Sequence, residues 1–249
     1  MKQEIVSITN LIKNVLFDIF ITILVSAIVG YINIYLAIVA FILTAVGFTY
    51  FRKYHRKLKL LKAGLEGYYY SFPLIENPKI WKEETNITFK YLGISADSIL
   101  EFFLEWINSL SATDSKNFYF LLMVPESDSL ARQICYEKGL DPKNLTDETK
   151  QNIDQYVVAV RGRIRSSIDI LKSTHAFRQG RLKIKLHNEF IPWWLYIFDD
   201  EKVFLGILKK GERSSNAPLL IITRNKDYPS IFDAFLNYWN SMWENAKDV

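Results

Sequence analysis

The chain is poor in the residues that most metal and redox chemistry needs. Among its 249 residues there is one cysteine, Cys135, and three histidines. A single thiol excludes an intramolecular disulfide and fits a reducing compartment. His55, His175 and His187 are scattered, and with Cys135 they show no ligand spacing for zinc. No G-x-x-x-x-G-K-S/T run exists, and Gly206 and Gly211 do not form a phosphate loop. Ser166, Ser167 and Asp169 share one helical stretch without a histidine to complete a triad. No cofactor is implied, and there is no internal repeat or low-complexity tract. The largest deficit is local: from Ile19 to Phe51, 33 residues pass without a Lys, Arg, Asp or Glu.

That run then meets RKYHRKLKLLK. One span needs about 20 apolar residues to cross a hydrocarbon core roughly 30 Å thick. Thirty-three residues suit two short spans, near Leu16–Ile32 and Tyr35–Phe51, with a break at Gly30-Tyr31-Ile32-Asn33. A cleaved signal peptide is opposed by the length of the run and the lack of an A-x-A-like site. Arg52, Lys53, Arg56, Lys57, Lys59 and Lys62 follow the second span, whereas the inter-span turn carries no charge. Positive residues stay inside, so both termini are expected in the cytoplasm of a multi-pass inner-membrane protein. The basic cluster can also meet anionic headgroups, or simply orient the chain. Much of the net charge of +4 sits here, so it is weak support for a nucleic-acid surface. Residues 1–51 are therefore expected to form a transmembrane hairpin with a short amphipathic start. Residues 52–66 form a basic helical stalk, and 67–249 a cytosolic α/β domain.

Within the spans, Asp18, Thr22, Ser26 and Gly30 recur every four residues on one helix face. Ala37, Ala40, Thr44 and Gly47 mark a face of the second span and read as a packing seam of small residues. The Asp18 stripe serves packing or lines a wet path. A two-helix hairpin cannot enclose a pore alone, so conduction requires a homo-oligomer.

In the cytosolic part, Thr85–Ile94 and Phe118–Val124 read as strands. Ser95 or Asp97 is positioned to cap a helix with the apolar face Ile99, Phe103, Trp106, Ile107 and Leu110. Helices follow over Ser127–Lys138 and Thr146–Lys172, the latter with the cleanest period in the chain. Four strand-like runs come next: Leu182–His187, Trp194–Phe198, Lys202–Leu208 and Leu219–Thr223. An aromatic amphipathic helix over Ser230–Lys247 closes the chain. Asp199-Asp200 reads as a hairpin turn and Glu83-Glu84 as a solvated edge. Alternating β and α followed by hairpins predicts a mixed sheet flanked by helices.

The strands NITFKYLGISADSIL and FYFLLMVPESDSLAR, the hairpin PWWLYIFDDEKVFLG and the aromatic NYWNSMW helix together resemble one half of the phospholipase D-like fold. The resemblance covers most of Thr85–Trp243. Active members carry His-x-Lys and, four residues on, Asp, followed by Gly-Ser and Asn. With Asp199 on the motif's Asp, Pro192 stands at the His and Trp194 at the Lys. Gly206 matches the glycine, and Ile207 follows it in place of Ser. The resemblance thus implies a non-enzymatic member, because a phospho-enzyme needs its nucleophile. His187-x-Glu189 does not supply the missing lysine.

The resembled fold places its site at the carboxyl ends of central strands. Here those ends carry Ser95, Asp97, Ser98, Glu126 and Ser127, and Trp193 and Trp194 lie in the degenerate motif. Serine hydroxyls and helix-start amides suit phosphate, and tryptophan offers a stacking face for a base. Arg161, Arg163 and Arg165 crowd one stretch of the long helix, and Lys209, Lys210 and Arg213 the segment after Gly206. Each has a plain alternative: a helix cap, a core indole, a solvated edge. Two short spans before a cytosolic ligand-binding domain are similar in layout to transmembrane effectors of bacterial antiphage nucleotide signalling. The expectation is a membrane effector or sensor that binds a nucleotide or oligonucleotide and permeabilises the bilayer as a homo-oligomer. A static protein-interaction scaffold is the alternative, and a phospholipase D-related enzyme a further one.

Overall fold

The computed structural model describes residues 17–25, 27–28, 34–69, 78–111, 114–212, 217–227 and 230–249. The chain divides into two compact units, Met1–Leu61 and Lys62–Val249.

In the first unit, helix α1 covers residues 17–25 and 27–28, and α2 runs 29 residues from Ile34 to Lys62. Helix α2 is long and apolar enough to cross a membrane, with a mean hydropathy of 2.2 over its best 18-residue window. Tyr35, Leu43 and Tyr50 are among the large side chains exposed along it. The span and the first part of the stalk form one helix because no proline interrupts them, and an interior glycine costs only about 1 kcal/mol. The predicted break at 30–33, the start of the chain through Asn14, Ser26 and Gly30 lie outside the described residues.

The face of α2 that meets α1 is not the predicted seam of small residues. Asp18 forms an ion pair with Arg52, and Thr22 Oγ1 donates to the Asp18 carbonyl at 2.7 Å. A hollow of about 230 Å³ is lined by Asp18, Ile19 and Thr22 of α1 and by Phe41, Ala45, Phe48, Thr49 and Arg52 of α2. Positions 41, 45, 48 and 52 share one face. Gly47 is exposed, with no heavy atom within 4 Å of a Cβ placed there, among the described residues. Thr44 returns its hydroxyl to the Ala40 carbonyl at 2.7 Å. Asp18 and Arg52 pair across the two helices, and Phe41 and Phe48 rather than Gly47 border the hollow beside them, with Phe41 still exposed.

The stalk ends earlier than residue 66. Helix α2 stops at Lys62, and Gly64 takes φ +87°, where a Cβ would lie 2.5 Å from the Thr223 carbonyl oxygen. Glu66 and Gly67 then belong to strand β1, Leu65–Tyr69. The remaining elements run α3 Pro78–Glu84, β2 Thr88–Leu92, α4 Leu100–Asn108, β3 Asn117–Met123, α5 Asp128–Glu137, α6 Asp147–Ser173 and α7 His175–Arg178. After them come β4 Leu182–His187, β5 Trp193–Phe198, β6 Lys202–Ile207, β7 Leu219–Thr223, α8 Ile231–Asn245 and β8 Lys247–Asp248. The mixed α/β class is as predicted.

The eight strands form one sheet in the order β1-β7-β6-β5-β2-β3-β4-β8. The β2–β3 and β3–β4 pairs are parallel and the others antiparallel. Strand alternation divides the core in two. One face carries Phe89, Tyr91, Phe118, Phe120, Tyr196 and Phe198 against Phe103 and Trp106 of α4, Ile134 of α5 and Ile164 of α6. The other carries Leu92, Leu121, Leu195, Ile197 and Leu205 against Phe232, Trp239 and Met242 of α8. The first face is strongly aromatic. Phe103 and Phe120 meet edge to face with centroids 4.6 Å apart, a contact worth about 0.5–1.5 kcal/mol beyond area burial.

The β5–β6 hairpin turns on Asp199 and Asp200, with φ +53° and +55°. Each aspartate is anchored. Asp199 accepts the amides of Asn86, Ile87 and Thr88 at 2.8, 2.9 and 2.7 Å. Asp200 pairs with Lys90, a buried lysine whose Nζ lies 4.8 Å from the Trp239 ring.

Candidate functional site

Strand β2 ends beside the beginning of its antiparallel neighbour β5, with Leu92 opposite Leu195. A cleft of about 140 Å³ opens at that point. The turn after β2 contributes Ser95, Asp97 and Ser98, and α6 contributes Arg163. Trp194, Tyr91 and Tyr196 line it from the strands, and Glu137 from the last turn of α5.

Glycines permit this packing. A Cβ on Gly206 would lie 2.0 Å from the Trp194 ring, and one on Gly93 would lie 2.1 Å from the Tyr91 hydroxyl. Gly206, aligned on sequence with a phospholipase D glycine, therefore seats an indole here. In the turn after β2, Ala96 takes φ +58° and its carbonyl accepts the Ile99 amide at 2.9 Å. Ser95 and Asp97 do not cap a helix: α4 begins later, at Leu100, and its N-cap Ile99 has no side-chain bond. The turn over residues 97–99 intervenes and frees both side chains from that duty.

The cleft carries two carboxylates and one guanidinium. Arg163 lies 3.7 Å from Asp97. Burial pushes the Glu137 carboxyl up, opposed by a hydrogen bond from Gln133 and by Arg163. Gln133 is fully buried and spans two segments: its Nε2 donates to Glu137 and its Oε1 accepts the Ile191 amide, both at 3.3 Å. Burial raises the Tyr91 and Tyr196 phenols well above their usual range, so both rings are neutral.

Other expected residues are placed elsewhere. Trp193 borders the cleft, but its ring packs against Phe235 and Tyr238 of α8 on the opposite face, because neighbours on a strand alternate. It is no stacking platform there. Arg161 Nε donates to the Pro125 carbonyl at 2.8 Å, and Arg165 pairs with Glu126, holding that carboxyl below the usual range. Those two arginines tie α6 to the loop after β3, so the predicted arginine row supplies only Arg163 to the cleft. Ser127 caps α5 by accepting the Ser129 amide at 3.1 Å. Lys209 lies 3.5 Å from Glu212, and Lys210 is exposed. Neither lines the cleft, and Arg213 lies outside the described residues. Glu84 is no solvated edge: Lys202 Nζ lies 2.8 Å away.

Sequence reasoning missed Tyr91, Tyr196 and Glu137. The tyrosines lie on the same strand face as the core phenylalanines, so spacing could not separate them from core. Glu137 meets Arg163 through α5–α6 packing, which leaves no local signal. Asp199, aligned with the phospholipase D motif, stands at the far end of β5 from Trp194 and is committed to the start of β2. Among the described residues no group of three or more His, Cys, Asp or Glu is placed to hold a metal.

A second hollow of about 470 Å³ lies on the α8 side, lined by His187, Glu189, Tyr238 and Asn245 among others. His187 Nδ1 accepts the Glu189 amide at 3.2 Å. Burial lowers its pKa to about 4, so the ring is neutral.

No family model matches the sequence, and no curated protein matches it. Among solved structures it is similar to Nuc from Salmonella typhimurium, a phospholipase D family member. The identity is 12% and the TM-score 0.32, over 66% of this chain and 83% of that one.

Proposed function

We propose that the protein is a membrane-anchored, ligand-binding sensor whose α/β domain takes a small ligand in the cleft at the end of β2. One observation carries the reading: one turn (Ser95, Asp97, Ser98), helix α6 (Arg163) and strand β5 (Trp194), three segments far apart in sequence, converge on one concavity. Convergent polar groups over an aromatic floor are the usual makeup of a ligand site. The anchor is read as a hairpin of α1 and α2. The charge-free run, the length of α2 and the Asp18–Arg52 pair support it. The basic residues after position 51 put both termini in the cytoplasm.

At about 140 Å³ the cleft is smaller than the roughly 300–1,000 Å³ of drug-sized ligand sites. A nucleotide could seat only part of itself, so the reading narrows to a compact ligand or one group of a larger one. Asp18 is engaged by Arg52, so in this state the hairpin serves as an anchor.

The test uses the full chain in lipid nanodiscs and a small-molecule thermal-shift screen. Ser98 is exposed at the rim, and Ser98→Trp should fill the cleft and abolish any ligand-induced stabilisation at unchanged basal melting temperature. Stabilisation that survives the substitution refutes the site. Release of the chain from membranes by alkaline carbonate refutes the anchor.

A further inference from the structure

We infer that the cleft selects a small organic cation, a methylated ammonium group, over an anion. The inference rests on the cleft being the ligand site, as read above, and adds the sign of the ligand's charge.

Three observations point the same way. First, the lining of the cleft holds two carboxylates, Asp97 and Glu137, and one cation, Arg163, while Lys138, which also acts on Glu137, sits over the Tyr156 ring. The residues that could have drawn an anion are engaged elsewhere, Arg161 with a carbonyl and Arg165 with Glu126. Second, three buried aromatic residues, Tyr91, Tyr196 and Trp194, pack together in its lining. Tyr91 and Tyr196 have centroids 5.4 Å apart, and Trp194 and Tyr196 5.1 Å. Ring faces carry the negative end of the aromatic quadrupole, and quaternary ammonium groups bind to such clusters. Third, the volume of about 140 Å³ is close to that of a cavity of about 150 Å³ that accepts benzene, the scale of a methylated ammonium head. The domain already places its own cations on rings elsewhere: Lys138 Nζ lies 3.8 Å from the Tyr156 ring centroid.

Arg163 is then the resident cation, half-exposed and bound to Asp97 across the mouth. An incoming ammonium competes with it for the carboxylates. The two charge classes therefore respond to the same substitutions with opposite signs. Removing Arg163 strengthens a cation and weakens an anion, and neutralising Glu137 does the reverse.

The experiment titrates the full chain in phosphatidylglycerol nanodiscs with tetramethylammonium and, separately, with inorganic phosphate, at constant ionic strength. Binding is read from the indole resonance of Trp194, assigned with Trp194→Phe. Tetramethylammonium should bind the native chain, about tenfold more tightly in Arg163→Gln and about tenfold more weakly in Glu137→Gln. Gln at 137 keeps an acceptor for Gln133, so its effect is one of charge. Phosphate binding that Arg163→Gln abolishes overturns the inference and leaves the cleft reading standing. Cation binding indifferent to both substitutions also overturns it. No perturbation of Trp194 by either ion refutes the cleft reading itself. Repeating the titration in phosphatidylcholine nanodiscs separates the sources: weaker tetramethylammonium binding there identifies a lipid headgroup as the competitor, and equal binding identifies a free cation.

Discussion

Replacing Asp199 with alanine should destabilise the protein by about 2–4 kcal/mol. The carboxylate accepts three consecutive main-chain amides and the Asn86 side chain, the last at 3.1 Å. A hydrogen bond to a charged group contributes about 1.5–3 kcal/mol. Only the Thr88 bond is partly buried, and water can replace the acceptor at Asn86 and Ile87. We therefore assign about 2 kcal/mol to Thr88 and about 1 to the other two amides together. Alanine must also adopt φ +53°, which costs it about 1 kcal/mol more than an aspartate. Asparagine tolerates that backbone and keeps one oxygen, so Asp199→Asn should cost roughly half as much. The assay is urea unfolding of the full chain in detergent, followed by tryptophan fluorescence, comparing midpoints at constant m. A pH series adds a sign. Burial works against ionisation of Asp199, and the amides of Thr88, Ile87 and Asn86 outweigh it, so the carboxyl is held below its ordinary value. Its stabilisation is present above the unfolded pKa of about 3.9 and is lost as pH falls through the lower folded value. Asp199→Ala should lack that acid limb. A loss under about 0.5 kcal/mol, or equal losses for Ala and Asn, would refute the anchoring account.

His187 should make the protein acid-sensitive in a higher window. Its folded pKa of about 4 lies below an unfolded value of about 6.5. Stability is therefore intact above about pH 6.5 and falls by about 3 kcal/mol as pH drops to 4, where the unfolded chain alone takes the proton. His187→Asn keeps an acceptor for the Glu189 amide and should flatten that slope; a parallel slope would sink the assignment. Asp18→Asn and Arg52→Gln should be coupled by about 1–3 kcal/mol in a double-mutant cycle on thermal unfolding in detergent. Additive losses would mean that the ion pair does not hold the two helices.

The elements with strong periods were legible in the sequence. Helix α6, expected over Thr146–Lys172, runs from Asp147 to Ser173 with Thr146 as its N-cap, and β4 and β7 begin and end at the predicted residues. What escaped was short or depended on partners. Strand β1 contains Glu66, Gly67 and two tyrosines and exists because β7 offers it an edge, with Tyr69 opposite Leu219. Strand β8 has only two residues. In the site, the residues on one turn were found together because they are neighbours in sequence. The arginines at 161, 163 and 165 were grouped for the same reason and then proved to be divided. Helical residues two apart point about 200° from one another, so a run of alternating arginines cannot serve one cleft. The placement of Asp97 opposite Arg163 was visible in neither segment, because α5 and α6 must first pack on the sheet.

The contact between Trp194 and Gly206 ties two adjacent strands into one decision about size. Any side chain at 206 needs a smaller neighbour at 194, and a smaller neighbour at 194 leaves a space of indole dimensions under the cleft. Homologues that bind bulkier molecules should therefore change both positions together. A library that varies either one alone should yield poorly folded proteins far more often than new specificities.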